Sequence, residues 1–205
     1  MLLKLVTCEV PAAERAAFEE RQADFGALAT ARGFIAQVGG WLDEERTQAA
    51  TLSLWTDVIR YQLFAEQYRR RQAPGRSYAA GSVLLARETL RVDEHDCDLR
   101  RAAAMAESVR ISDCTVPRER LAQFVADQRG VWSRDSEADG FILGSVLRVQ
   151  QDDPRFLVLS LWDGSDEGHR VAASTAVGRR TTIATLAPSL ATSVPLRDAW
   201  RVLPA

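Results

Sequence analysis

The tetrapeptide Leu52-Ser53-Leu54-Trp55 returns unchanged as Leu159-Ser160-Leu161-Trp162, 107 positions further on. Working outward from it, Gly33-Phe34-Ile35 falls on Gly140-Phe141-Ile142 at the same shift of 107. Nearer the start, Cys8, Val10, Pro11, Phe18 and Gln22 fall on Cys114, Val116, Pro117, Phe124 and Gln128 at a shift of 106. Ser82, Val83 and Leu85 then fall on Ser193, Val194 and Leu196 at a shift of 111. Ordered matches separated by small insertions mark a duplicated unit. The chain therefore reads as two copies, 1–92 and 107–205, joined by a linker at 93–106. A copy of about 100 residues is an ordinary domain size.

Each copy reads β-α-β-β-α-β. Leu2 to Val10 alternates and holds strand formers, and Pro11 suits a first helical turn, where a missing N–H costs nothing. From Ala12 to Ala31 the residues Ala13, Ala17, Phe18, Phe25 and Leu28 recur at mostly helical spacing, and Gly33 ends the run. Phe34 to Leu42 and Ala49 to Trp55 form a hairpin about the polar turn Asp43 to Arg46. Asp57 stands where an N-cap belongs, with Ile59, Leu63, Phe64 and Tyr68 as the stripe of the second helix. Ser77 to Val92 is the last strand. The second copy repeats the order with strands at Ser108 to Val116, Phe141 to Val149, Phe156 to Trp162 and Leu190 to Val202, and helices at Pro117 to Ala138 and near Asp166 to Val177.

Along the repeated strand, Leu52 and Leu54 face one way while Thr51, Ser53 and Trp55 face the other. Leu159 and Leu161 oppose Val158, Ser160 and Trp162 in the same arrangement. Neither side is a plain solvent face. A four-stranded sheet with both helices on one face leaves the other bare, and two such bare faces can cover each other. The expected fold is α+β, with two ferredoxin-like βαββαβ units packed sheet to sheet as an intrachain dimeric α/β barrel.

Composition narrows the partners. With 26 basic and 28 acidic side chains the net charge is -2, so no broad positive field exists to recruit nucleic acid or a membrane, and neither is expected as a partner. No run approaches the roughly 20 apolar residues of a membrane helix, and MLLKLVTCEV reads as a strand instead of a signal peptide. Cys8, Cys97 and Cys114 are odd in number and widely spaced, which suits reduced thiols and a cytoplasmic location. Asp93-Glu94-His95-Asp96-Cys97-Asp98 matches neither zinc nor EF-hand spacing, so it reads as a solvated linker, and no metal is expected. Lys4 is the only lysine, and the sequence contains no asparagine.

The βαββαβ order, Gly33-Phe34, the hairpin, the repeated tetrapeptide and a following helix bearing Tyr61 resemble the dimeric α+β barrel superfamily. Within it the chain resembles antibiotic biosynthesis monooxygenase-like domains in tandem. CEVP at 8–11, GFIAQVGGW at 33–41 and LSLW are similar to an uncharacterised branch of that group. Members that oxidise polycyclic aromatic substrates without a cofactor line the pocket with a Trp at the end of the third strand, a Tyr after it and a nearby Asn. Trp55 and Tyr61 match the first two; for the Asn, Thr51 or Gln37 would have to stand in. The resemblance implies a cofactor-independent monooxygenase acting on a small phenol- or anthrone-type molecule.

The expected site is therefore catalytic Trp55 and Tyr61, with Gln37, Trp41, Thr51 and Ser53 binding substrate in the first copy and Ser160 and Trp162 in the second. Both tryptophans could equally brace helix against sheet. A haem-degrading relative would place an axial His on the second helix, which neither copy shows, so no cofactor is expected. Two alternatives stand beside the monooxygenase: a non-catalytic binding or structural module, and an isomerase or lyase using His169 as base. The expected partner is a small apolar or aromatic molecule, and the expected state is a monomer with pseudo-twofold symmetry or a homodimer of it. Gly168-His169 replaces Tyr61 in the second copy, so any function should be asymmetric.

Overall fold

The computed structural model describes residues 1–23, 25–43, 45–71, 80–93, 97–135, 140–150, 154–164 and 185–205. Its main elements are β1 (Leu2–Glu9), α1 (Arg15–Ala23), α2 (Gly26–Ala29), β2 (Phe34–Trp41), β3 (Gln48–Trp55), α3 (Val58–Arg71) and β4 (Ala80–Asp93). There follow α4 (Leu99–Met105), β5 (Ser108–Thr115), α5 (Leu121–Asp135), β6 (Phe141–Val149), β7 (Arg155–Trp162) and β8 (Thr185–Pro195). The fold is α+β and ferredoxin-like in each half. Among the described residues no helix is long and apolar enough to cross a membrane. The helix expected near Asp166 to Val177, with His169, lies outside the described residues, and so does His95.

Sequence copies and compact units divide the chain differently. One unit is Met1–Leu85 with Val194–Ala205, and the other is Ala86–Ser193. The closing segment of each copy thus belongs to the unit built mainly from the other copy, and β4 passes from the first unit to the second within a single strand.

In the first unit the strands lie in the order β2-β3-β1-β4. β1 and β2 each run antiparallel to β3, Lys4 opposing Ser53 on one side and Gln37 opposing Ser53 on the other. The β2–β3 turn is organised by Asp43, whose carboxylate accepts from the Thr47 amide at 2.8 Å, the Gln48 amide at 3.2 Å and the Thr47 hydroxyl. Asp57 caps α3, its Oδ1 accepting the Arg60 amide at 2.9 Å, as N-cap chemistry requires. The single helix expected from Ala12 to Ala31 is instead a 3-10 turn at Ala12–Glu14 followed by α1 and α2. Gly26 opens α2, and glycine is a poor residue for carrying one helix through.

The strand expected at Leu190 to Val202 stops at Pro195, which has no N–H to offer a ladder. A 3-10 turn, Asp198–Trp200, follows. This returning segment covers the outer edge of β2: the Arg197 amide donates to Gly39 O at 2.8 Å, and Gln37 and Val202 exchange backbone bonds at 2.8 and 2.9 Å. A covered edge cannot template unwanted strand pairing. The approach is close enough that a Cβ on Gly40 would lie 2.0 Å from the carbonyl oxygen of Pro195. Gly40→Ala is therefore expected to lower stability by about 1–3 kcal/mol, read from the urea midpoint, and to speed amide exchange at Val202. An unchanged midpoint would show that the returning segment yields at no cost.

Among the described residues two clusters lie on the helix side of this unit. Leu2, Leu28, Phe34 and Trp55 form one, and Val10, Phe18, Trp41, Ala49 and Trp200 form the other. On the opposite face of the sheet Leu3, Leu5, Leu52 and Leu54 are buried, which is the two-sided burial that the strand pattern requires.

In the second unit residues 86–93 of β4 pair antiparallel with β6, and the order continues β6-β7-β5-β8. Phe124 of α5 lies 5.7 Å from Phe156 between ring centroids and shares a buried cluster with Cys114, Val116, Val158 and Trp162. The expected linker contains α4, capped by the Asp98 carboxylate on the Arg100 amide and burying Leu99, Ala102 and Ala103. Its signal was present as a capping Asp before apolar residues three and four apart.

Candidate functional site

In the first unit the layer of helices does not close fully on the sheet. A cavity of about 470 Å3 lies between them, within the size range of small-molecule sites. Strand periodicity and register set its floor. Lys4, Val6 and Cys8 alternate inward from β1, and their register partners Ser53, Thr51 and Ala49 face the same way from β3. Trp55 ends that row, and Gln37 of β2 stands opposite Ser53. The roof is Phe18 and Gln22 of α1, Leu28 of α2, and Tyr61, Phe64, Ala65 and Tyr68 of α3. Their spacing of three and four places these α3 residues on one helical face.

The wall beside Trp55 is aromatic. Trp55 is 1% exposed and meets Phe34 edge-on at 5.3 Å between centroids, Tyr61 at 5.7 Å and Phe64 at 5.2 Å. Phe64 in turn stacks on Tyr68 at 5.6 Å. The indole N–H donates to Ser53 Oγ at 3.1 Å, which satisfies the one polar atom of the ring. Because Ser53 Oγ accepts that bond, its own hydrogen is left to point at another acceptor.

Polar groups are few and specific. The Lys4 ammonium lies 5.6 Å from the centre of the Tyr61 ring, a cation–π distance. Burial pushes the Lys4 pKa down, partly offset by attraction to Cys8. Burial likewise pushes the Cys8 thiol up, partly offset by Lys4, so Cys8 stays protonated at neutral pH and is a weak nucleophile. Gln37 Nε2 and Gln22 Oε1 are buried with no hydrogen-bond partner, in side chains only 6% and 7% exposed. A buried polar atom left unpaired costs about 1–3 kcal/mol, and both residues line the cavity.

Of the expected site residues, Trp55, Tyr61, Gln37, Thr51 and Ser53 all line this cavity. Trp41 has the matching strand parity but stands in the adjacent core, 5.7 Å from Phe18 and 5.3 Å from Trp200, with its N–H donating to Glu19 Oε1 at 3.0 Å. In the second unit Trp162 repeats the indole bond, to Ser160 Oγ at 2.8 Å. Trp162 is packed into the core against Phe141 at 5.3 Å, with the Arg110 guanidinium 4.9 Å above its ring. The sequence reading passed over Lys4, Cys8 and Gln22 as site residues and took Phe64 and Tyr68 as core alone. Lys4 carried a signal, being the single lysine of the sequence and an interruption of the apolar run Leu2 to Val6.

The same architecture occurs among solved structures of monooxygenase type. The chain superposes on an anthrone oxidase-like protein with a TM-score of 0.67 at 13% identity, covering 96% of this chain and 91% of that one. A Fusobacterium nucleatum protein assigned as a monooxygenase gives 0.65 at 9% identity over 95% and 94% of the two chains. A protein assigned as a chlorite dismutase gives 0.64 at 9% over 97% and 95%. At such identities it is the fold alone that is shared, and the chain has a ferredoxin-like α+β fold. Residues 2–71 match the family model described as Domain of unknown function (DUF4937). The Uncharacterized protein YdbC of Bacillus subtilis (strain 168) is 42% identical over 69 residues, 32% of this chain and 57% of that protein. The match thus spans little more than half of this curated relative, and the family match covers all the described residues that line the cavity.

Proposed function

We propose that the first unit binds a small aromatic molecule of phenol or anthrone type and oxidises it with molecular oxygen without a cofactor. The observation that carries this reading is the cavity itself, about 470 Å3 with one aromatic wall and a short polar row. The fold shared with an anthrone oxidase-like protein supports it. Trp55 holds the ring, and Tyr61 and Gln37 orient the acidic oxygen. With an anthrone-type substrate, the anion formed on losing one ring C–H proton passes an electron to oxygen, and the radical pair joins in a carbon–oxygen bond. The resulting hydroperoxide loses water as the O–O bond breaks and the second C–H proton departs. One oxygen molecule takes up four electrons, one atom entering the new ketone and the other leaving as water.

Oxygen uptake with a panel of anthrone-like phenols tests this. Turnover is expected, with Tyr61→Phe lowering kcat/KM by about tenfold, the worth of one lost hydrogen bond of about 1.4 kcal/mol. The same cavity also suits a binding module without catalysis, for which these compounds would bind and no oxygen would be consumed.

A further inference from the structure

We propose that Lys4, Ser53 and Gln37 form an anion cradle, and that the cavity takes its aromatic ligand as the ionised phenolate or enolate. The inference rests on the reading of the cavity as a small-molecule site and adds the residues that hold the ligand's negative charge.

The three residues form one row across the sheet. Gln37 opposes Ser53, and Ser53 opposes Lys4, so they sit side by side on three neighbouring strands about 4.8 Å apart. All face the cavity. Each presents a donor: the amide Nε2 of Gln37, buried and without a partner; the hydroxyl of Ser53, whose oxygen is already taken by the Trp55 indole; and the ammonium of Lys4. Three donors in a row complement an acceptor, and an anionic oxygen satisfies an ammonium more fully than a neutral one does.

Among the described residues no counter-charge for Lys4 stands in the wall. Among the described lining residues there is no Asp, Glu or Arg. The titratable groups that face Lys4 are Cys8 on its own strand and Tyr61 and Tyr68 on α3. Burial keeps the Cys8 thiol protonated, and Tyr61 presents its ring to the ammonium. In surroundings of low polarity a charge without a partner is costly, and an opposite charge brought beside it is favoured more than it would be in water. A phenol entering this site therefore gives up its proton more readily than in solution. Across the cavity from the cradle, Gln22 Oε1 remains to accept from a second hydroxyl.

The second copy shows the same row dismantled. Ser160 is kept, but Gly144 opposes it where Gln37 would be, and Arg110 opposes it where Lys4 would be. The Arg110 guanidinium lies over Trp162.

The test uses 4-nitrophenol, whose anion has its own absorption band, and 4-nitroanisole, which cannot ionise. At one pH unit below the solution pKa of the nitrophenol, the wild-type protein should bind it with the anion band appearing, and at least tenfold more tightly than the ether. Lys4→Met, checked for folding by circular dichroism, should lose both the band and the tenfold preference. Lys4→Arg should retain part of the band, and Gln37→Leu should weaken nitrophenol binding severalfold while sparing the ether. Equal affinity for the two probes, or an anion band that survives in Lys4→Met, would overturn the cradle. Ionised binding without oxygen consumption would leave the cradle standing and remove the oxidase. Oxygen consumption without ionised binding would do the reverse.

Discussion

Trp55→Ala is expected to lower stability by about 3–5 kcal/mol, the range for deleting a large buried aromatic side chain. The site makes the upper part of that range the better expectation. Trp55 touches Phe34, Tyr61 and Phe64 at once, so removing it leaves three rings facing a void. The void joins a cavity already about 470 Å3 in size, and no neighbour on that side can collapse inward to fill it. Trp55→Phe keeps most of the packing and loses chiefly the bond to Ser53, so about 1 kcal/mol is expected. Urea unfolding of the two variants separates the contributions. A loss below about 2 kcal/mol for the alanine variant would mean that the helices settle onto the sheet when the indole is gone.

Arg155→Met is expected to be as damaging, by about 3–5 kcal/mol, because it leaves one partner of a buried ion pair alone. The Asp113 side chain is 1% exposed, and Arg155 holds it through Nε at 2.9 and 3.1 Å and through Nη2 at 2.5 Å. With the guanidinium removed, the carboxylate must either stay charged without a partner or take up a proton. Both options weaken the β5–β7 ladder on which the second unit rests. The double variant Asp113→Leu with Arg155→Met should recover most of the loss, since an apolar pair often replaces a buried ion pair at little cost. Thermal unfolding of the single and double variants checks this, and a double variant no better than the single would assign the damage to packing by the Arg155 stem.

The duplication was legible because identical residues survived at ordered spacing, and strand parity then placed Thr51, Ser53 and Trp55 on one face with Leu52 and Leu54 on the other. Parity could not separate Trp55 from Trp41. Both face the helices, yet Trp200 returns from 159 positions away to fill the space beside Trp41, and no local pattern announces that return. Lys4 was visible as a charge within the apolar run Leu2 to Val6, but its meaning depends on the helices that roof it and on the absence of a carboxylate among the described lining residues. Gln22 and Gln37 look like ordinary polar residues in sequence. They become informative only once their amide atoms are found buried and unmatched.

The placement of residues 194–205 in the first unit binds the fate of the two halves of the gene together. Trp200 meets Phe18 edge-on at 5.4 Å, and Phe18 lines the cavity, so the half that carries the cavity is propped by the tail of the half in which Arg110 and Gly144 flank Ser160. Gene fission within 93–106 would strip the first half of that prop and would cost the second half the part of β4 that pairs with β6. The second half therefore serves the first as a buttress, whatever chemistry of its own it carries.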